Sequence, residues 1–154
     1  MGSTERAIIE RVKTVLATID GSGYNYDFSG SDQVVIGMEL EPIRVPGIYL
    51  HPLTVATAQT PGKTRLRNYD RNFTVQVDVW VPATSSAPGN AILAALDAQS
   101  DVMKALENDR ELGSVGVHDI EVEASAYDGA ELDRPGIGVA TLLVKVKYSE
   151  RAGA

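Results

Sequence analysis

Few residues in this chain have the types and spacing that chemistry needs. Pro61-Gly62-Lys63-Thr64 has the ending of a phosphate-binding loop. Such a loop also needs a glycine five residues before Gly62, so that backbone amides cradle phosphate between a buried strand and a helix. Thr57 stands there, and Arg65, Leu66 and Arg67 follow in a polar stretch, so the tetrapeptide reads as a turn. His51 and His118 are the only histidines and have neither an imidazole partner nor an acidic cluster at metal-ligand spacing, which makes them surface or edge residues. Asp97 and Asp101 lie four apart on a helical stretch, with Lys104 and Asn108 on the same face; solvation of that face explains them. Asp119, Glu121 and Glu123 form a row along one side of a strand, an acidic outer face unless a second element supplies ligands. No serine or threonine has a base and an orienter close in sequence, although triads assemble from distant residues. The chain has no cysteine, which removes thiolate ligands, thiol nucleophiles and disulfides. No catalytic residue, cofactor or metal is assigned, and the expectation is a protein that assembles rather than catalyses.

The elements that would position these residues follow from periodicity. Ile8, Ile9, Val12, Val15, Leu16 and Ile19 recur at helical spacing after Ser3 or Thr4 as N-cap, which predicts a first helix over about residues 4–19. Gly21 to Ser31 is a polar loop in which Tyr24, Tyr26 and Phe28 alternate as a short extended piece. Val34, Ile36, Met38 and Leu40 alternate, and Ile48-Tyr49-Leu50 starts another strand. In Phe73 to Val81 every odd position is apolar and Pro82 ends the run, so the odd face is the core face. A second helix runs from Pro88-Gly89-Asn90 to about Asn108, with Ile92, Leu93, Leu96, Met103 and Leu106 as its apolar stripe. The even positions of Ile120 to Ala126 and of Ala140 to Tyr148 predict two paired strands. The order of elements lacks regular βαβ alternation. It predicts an α+β fold with a mixed, mainly antiparallel sheet, two helices on one face and a long β-hairpin-like arm.

Composition sets the frame. With 154 residues, 44% of them apolar and 23% charged, the chain is read as one globular domain over residues 1–154, with a flexible C-terminal end at 150–154. A formal charge of −7 argues against a surface built for general nucleic-acid binding. No window has the roughly 18 consecutive apolar residues of a membrane span, so neither export nor membrane insertion is expected.

Three features suggest contacts with other molecules. The connection from Leu53 to Asn72 is long and polar, and compact domains rarely spend so many residues on structureless chain. Lys63, Arg65, Arg67 and Arg71 alternate within it, as on one side of an extended hairpin arm, and await an acidic partner surface or DNA. Ala91, Ala94, Ala98, Val102 and Ala105 form a small-residue ridge on the second helix, suited to close approach by a neighbouring subunit or by the chain's own backbone. Trp80 points away from the Val75/Val77/Val79 face and needs cover from a loop, a helix or another subunit.

The succession of these parts resembles the tail terminator, or tail-completion, proteins of long-tailed bacteriophages. The likeness spans about residues 4–150. It runs from the amphipathic first helix through Val45-Pro46-Gly47-Ile48-Tyr49-Leu50, the long arm, Asp78-Val79-Trp80-Val81-Pro82-Ala83 and the second helix to the closing strand, Leu142 to Glu150. Residues 24–40 are longer and more strand-like than the family layout. The resemblance implies a non-enzymatic virion protein that is assembled in the bacterial cytoplasm. It would form a homo-oligomeric ring, usually a hexamer, that caps the tail tube and stops its polymerisation. Its partners would be the tail-tube protein and a head-side connector, with passing contact to DNA in the lumen and none to membrane. The alternatives are another head-tail neck protein and a small-ligand module using the Tyr24/Tyr26/Phe28 loop.

Overall fold

The computed structural model describes residues 3–37, 45–58, 68–85, 89–110, 112, 117–132 and 135–151. Helix α1 spans Thr4–Leu16, and its N-cap is Ser3, whose hydroxyl accepts the Arg6 amide at 3.1 Å. Such a cap is worth about 1 kcal/mol. The helix stops before Ile19, which is nevertheless buried because a tight turn after Leu16 folds it back. Five strands follow: β1 (Val34–Ile36), β2 (Gly47–Ala58), β3 (Asn68–Pro82), β4 (Val117–Asp128) and β5 (Ile137–Arg151). Helix α2 (Asn90–Glu107) links β3 to β4. The strands form one sheet in the order β1-β2-β3-β5-β4, in which only β1 and β2 run parallel. This is the expected α+β architecture.

Burial follows the alternation of the long strands. Phe73, Val75, Val77, Val79 and Val81 of β3 and Ala140, Leu142, Val144, Val146 and Tyr148 of β5 point to one face and are buried there beneath both helices. β4 is an edge strand, so of its even positions Ile120 is buried while Ala124 remains exposed. The expected strand from Val34 to Leu40 is short, ending at Ile36, and residues 38–44 lie outside those described. β5 continues through Arg151, paired with Asn68, so the first residues of the expected flexible end are strand.

The helix stripe differs from expectation. Ala91, Ala94, Ala95, Ala98, Val102 and Ala105 are buried against the sheet, together with Leu106, whereas Ile92, Leu93 and Leu96 lie outside, 41%, 59% and 45% exposed. The cause is at Gly138 of β5. A Cβ there would sit 2.1 Å from the Ala91 carbonyl oxygen and 2.9 Å from the Ala95 nitrogen. Backbone meets backbone at this point, and larger residues on the facing side of α2 would hold the helix off.

The loop after α1 is fixed to α2 by Asp101. Its carboxylate is only 3% exposed and accepts the Asn25 and Tyr26 backbone amides at 2.8–2.9 Å and the Asn25 side-chain amide at 3.1 Å. Asp101 therefore belongs to the interior, not to the solvated face expected for it; a buried carboxylate is tolerated because these donors replace water. Lys104 reinforces the same loop, with its ammonium 2.6 Å from the Gly23 carbonyl and 4.9 Å from the centre of the Tyr24 ring.

Gly138→Ala should force α2 off β5. Overpacking of this kind costs about 2–3 kcal/mol, equivalent to a fall in Tm of roughly 4–12 °C in a chain of this size. Thermal unfolding followed by circular dichroism measures it, and an unchanged Tm would mean that α2 is not seated at Gly138.

Candidate interaction surface

The arm foreseen between Leu53 and Asn72 is in large part sheet. β2 runs to Ala58 and β3 starts at Asn68, so both flanks of the segment are strands of one hairpin. Lys63, Arg65 and Arg67 lie outside the described residues, as does the Pro61-Gly62-Lys63-Thr64 turn. The β3 flank does not stand apart from the domain, because Asn68 to Asn72 pair with β5 as well as with β2. The β2 flank is different. β1 pairs only with Ile48 to Leu50, and among the described residues no strand pairs with the outer edge of β2 beyond them. A register shift between Pro52 and Thr54 places Leu53 in a bulge, which suits a proline that has no amide to donate. Leu53 and Val55 are 43% and 45% exposed.

Arg71 belongs to the base of this hairpin and not to a row of solvated basic groups. Its guanidinium Nη1 is 3.6 Å from Glu5 Oε1, at the start of α1, and the Tyr148 hydroxyl donates to the same carboxylate oxygen at 2.6 Å. The hydrogen bond from Tyr148, followed by that of the Glu5 backbone amide and then by the nearby Arg71 charge, holds the Glu5 carboxyl below its ordinary value, against the opposing effect of burial. Helix α1, β3 and β5 are thus tied together where the hairpin leaves the core.

The ridge residues Ala91, Ala94, Ala98, Val102 and Ala105 are covered by the chain's own sheet, so they do not form the surface of α2 that a neighbour would meet. Trp80 is covered within the chain as well. It lies on the helix-free face of the sheet in a cluster with Tyr49 and Val139, against Val35, Tyr127 and Ile137. Beside this cluster, Thr141 donates to Asp78 at 3.0 Å, and the Gln76 amide donates to the same carboxylate at 3.0–3.1 Å.

The acidic row on β4 meets opposite charges. Arg110 lies 2.8 Å from Asp119, and Lys147 lies 2.6 Å from Glu121. A backbone amide and Arg110 lower the Asp119 pKa, and the hydrogen bond from Lys147 lowers that of Glu121. Both carboxylates are about half exposed, so these pairs contribute little to stability.

One arrangement could not be read from local spacing. His118, Ser149 and Asp70 come from three strands and meet on the helix-free face, with Ser149 donating to Asp70 at 2.7 Å and His118 Nε2 against the serine hydroxyl. In a nucleophilic triad the imidazole stands between serine and carboxylate and takes the serine proton. Here the serine stands in the middle and its hydroxyl proton points to the carboxylate, which makes the trio a tie between strands. Among the described residues no group of three His, Cys, Asp or Glu is placed to hold a metal ion, and no helix is long and apolar enough to cross a membrane.

Among the described residues the exposed large apolar side chains, besides Ile36 and Val45, fall in two patches. One is the outer side of α2 at Ile92, Leu93 and Leu96, and the other is the hairpin at Leu53 and Val55. No protein-family model and no curated protein matches the chain.

Because Glu5 titrates lower in the folded chain than its ordinary 4.5, its stabilisation is complete above that value and disappears as pH falls through the folded pKa. Glu5→Gln should therefore lower Tm at pH 7, and its difference from the parent should shrink as pH falls below 4.5 and through the folded pKa. A pH series of thermal unfolding checks this; a difference that stays constant would show that the ionised carboxylate contributes nothing.

Proposed function

We propose that the chain is a virion structural protein, a tail terminator whose copies form a ring that caps the tail tube, stops its polymerisation and offers the surface to which the head attaches. The observation that carries this reading is the presence of two separate exposed apolar patches on one small chain. A closed ring is built from a heterologous contact, in which one patch of each subunit meets a different patch of the next. Exposed clusters of large apolar side chains mark such contacts more often than they mark solvated surface. The layout of elements and the basic hairpin segment support the same reading. Residues 59–67 carry Lys63, Arg65 and Arg67 and no acid, on a chain whose net charge is −7. That segment suits an acidic protein surface or DNA passing through a lumen. The function proposed needs no cofactor and no catalytic residue.

The small-ligand alternative fits less well. Phe28 is buried in the core, and Tyr24 borders a cavity of about 200 Å³ between α1 and α2, lined also by Arg11, Thr18 and Asn108. Pockets for small organic ligands are usually about 300–1,000 Å³.

Removing the gene from the particle that encodes it separates the structural readings. Overlong tails without heads are expected for a terminator. Tails of normal length beside leaking heads would favour a neck connector, and unaltered particles would contradict both.

A further inference from the structure

The two apolar patches lie at opposite ends of the sheet. Ile92, Leu93 and Leu96 project from the part of α2 that crosses β5 at Gly138. Val55 lies in register with Phe73 and, through it, with Val146 of β5. From Gly138 to Val146 is eight residues of strand, roughly 26 Å at about 3.3 Å per residue. A flat partner surface centred on one patch would not be centred on the other, whereas a contact between the helix patch of one copy and the hairpin patch of the next uses both.

The two surfaces also match in chemistry. Residues 90–96 of α2 contain no charged side chain, and neither do residues 52–57 of β2. Bringing them together therefore desolvates no ion, and apolar area is gained at little electrostatic cost. The sequences that follow them carry opposite charges. Exposed Asp97 follows the helix patch, while the sequence after the β2 patch carries three basic residues and no acid. β4, at the other sheet edge, carries Asp119, Glu121 and Glu123, charges of the kind that keep edge strands from associating, whereas β2 carries no charged side chain from Leu53 to Thr57.

We infer that the β2 flank of the hairpin, centred on Leu53 and Val55, docks on the outer side of α2 at Ile92, Leu93 and Leu96 of a second copy of this chain, head to tail. This inference rests on the ring reading for closure alone. The contact itself follows from the two patches.

Complementation tests it. Leu93→Asp removes the helix patch and leaves the hairpin, and Val55→Asp does the reverse; both positions are exposed, and cooperative melting of each variant confirms that it folds. In sedimentation velocity each variant alone should remain monomeric at concentrations roughly tenfold or more above those at which the parent associates. Their mixture should form heterodimers that grow no further, since only one good interface can be made. Normal assembly of either variant alone, or a mixture that stays monomeric while the parent assembles, overturns the inference.

If the parent stays monomeric in solution, covalent trapping decides, because the chain has no cysteine of its own. A chain carrying Val55→Cys and Leu96→Cys should give a ladder of disulfide-linked oligomers under mild oxidation, whereas one carrying Val55→Cys and Glu123→Cys should not. Equal ladders, or none, overturn it. Heterodimers from the mixture beside open filaments from the parent would leave the contact standing and remove the ring. Rings that persist with Leu93→Asp would do the opposite.

Discussion

The close approach of α2 to β5 governs the arrangement of this fold. At Gly138 a helix backbone and a strand backbone nearly touch, and only small residues fit on the side of the helix that faces the sheet. Alanine there contributes little apolar area per residue, but it lets two regular elements come together without side chains between them. The larger side chains of α2 are displaced outward as a result. Hydrophobicity would place Ile92, Leu93 and Leu96 inside; the distance between the two backbones places them outside. The exposed apolar surface is thus a consequence of how the core is closed, and it is the surface from which association is argued.

The other end of the sheet obeys a different constraint. β2 and β3 extend past the short β1, and the base of their hairpin is secured by Glu5, Arg71 and Tyr148, which join α1 to the two central strands. β3 is supported on both sides by neighbouring strands, while the outer edge of β2 has no strand beside it beyond Leu50 among the described residues. The two helices cover one face of the sheet, and the other face is closed locally by Trp80, Tyr49 and Val139 and by the hydrogen bonds of Asp78. Core and edges are therefore set by different residues, and the proposed assembly uses the β2 edge and the outer side of α2.

Much of this was legible in the sequence. The two-residue alternation of β3 and β5 fixes which side chains are buried, since a strand buried on one face has no other way to hide its apolar residues. The order of helices and strands gave the α+β class for similar reasons. What stayed hidden depends on distances between elements remote in sequence. The buried side of α2 is decided by Gly138, nearly fifty residues beyond its start at Asn90, and the burial of Asp101 by the amides of Asn25 and Tyr26. The trio of Asp70, His118 and Ser149 comes from three strands whose register no local pattern specifies. The hairpin arm is read from the spacing of its basic residues, but Leu53 in its bulge breaks the alternation of β2, so local pattern does not show that the strand continues to Ala58.

The orientation of α2 is the point on which the surface depends, and methyl NMR measures it directly. A soluble paramagnetic agent added to the monomer, labelled at alanine, isoleucine and leucine methyls, should broaden Ile92, Leu93 and Leu96 strongly and leave Ala94, Ala95 and Ala98 sharp. Broad alanine methyls beside protected leucines would mean that α2 is rotated on the sheet, and the apolar surface proposed for assembly would not exist.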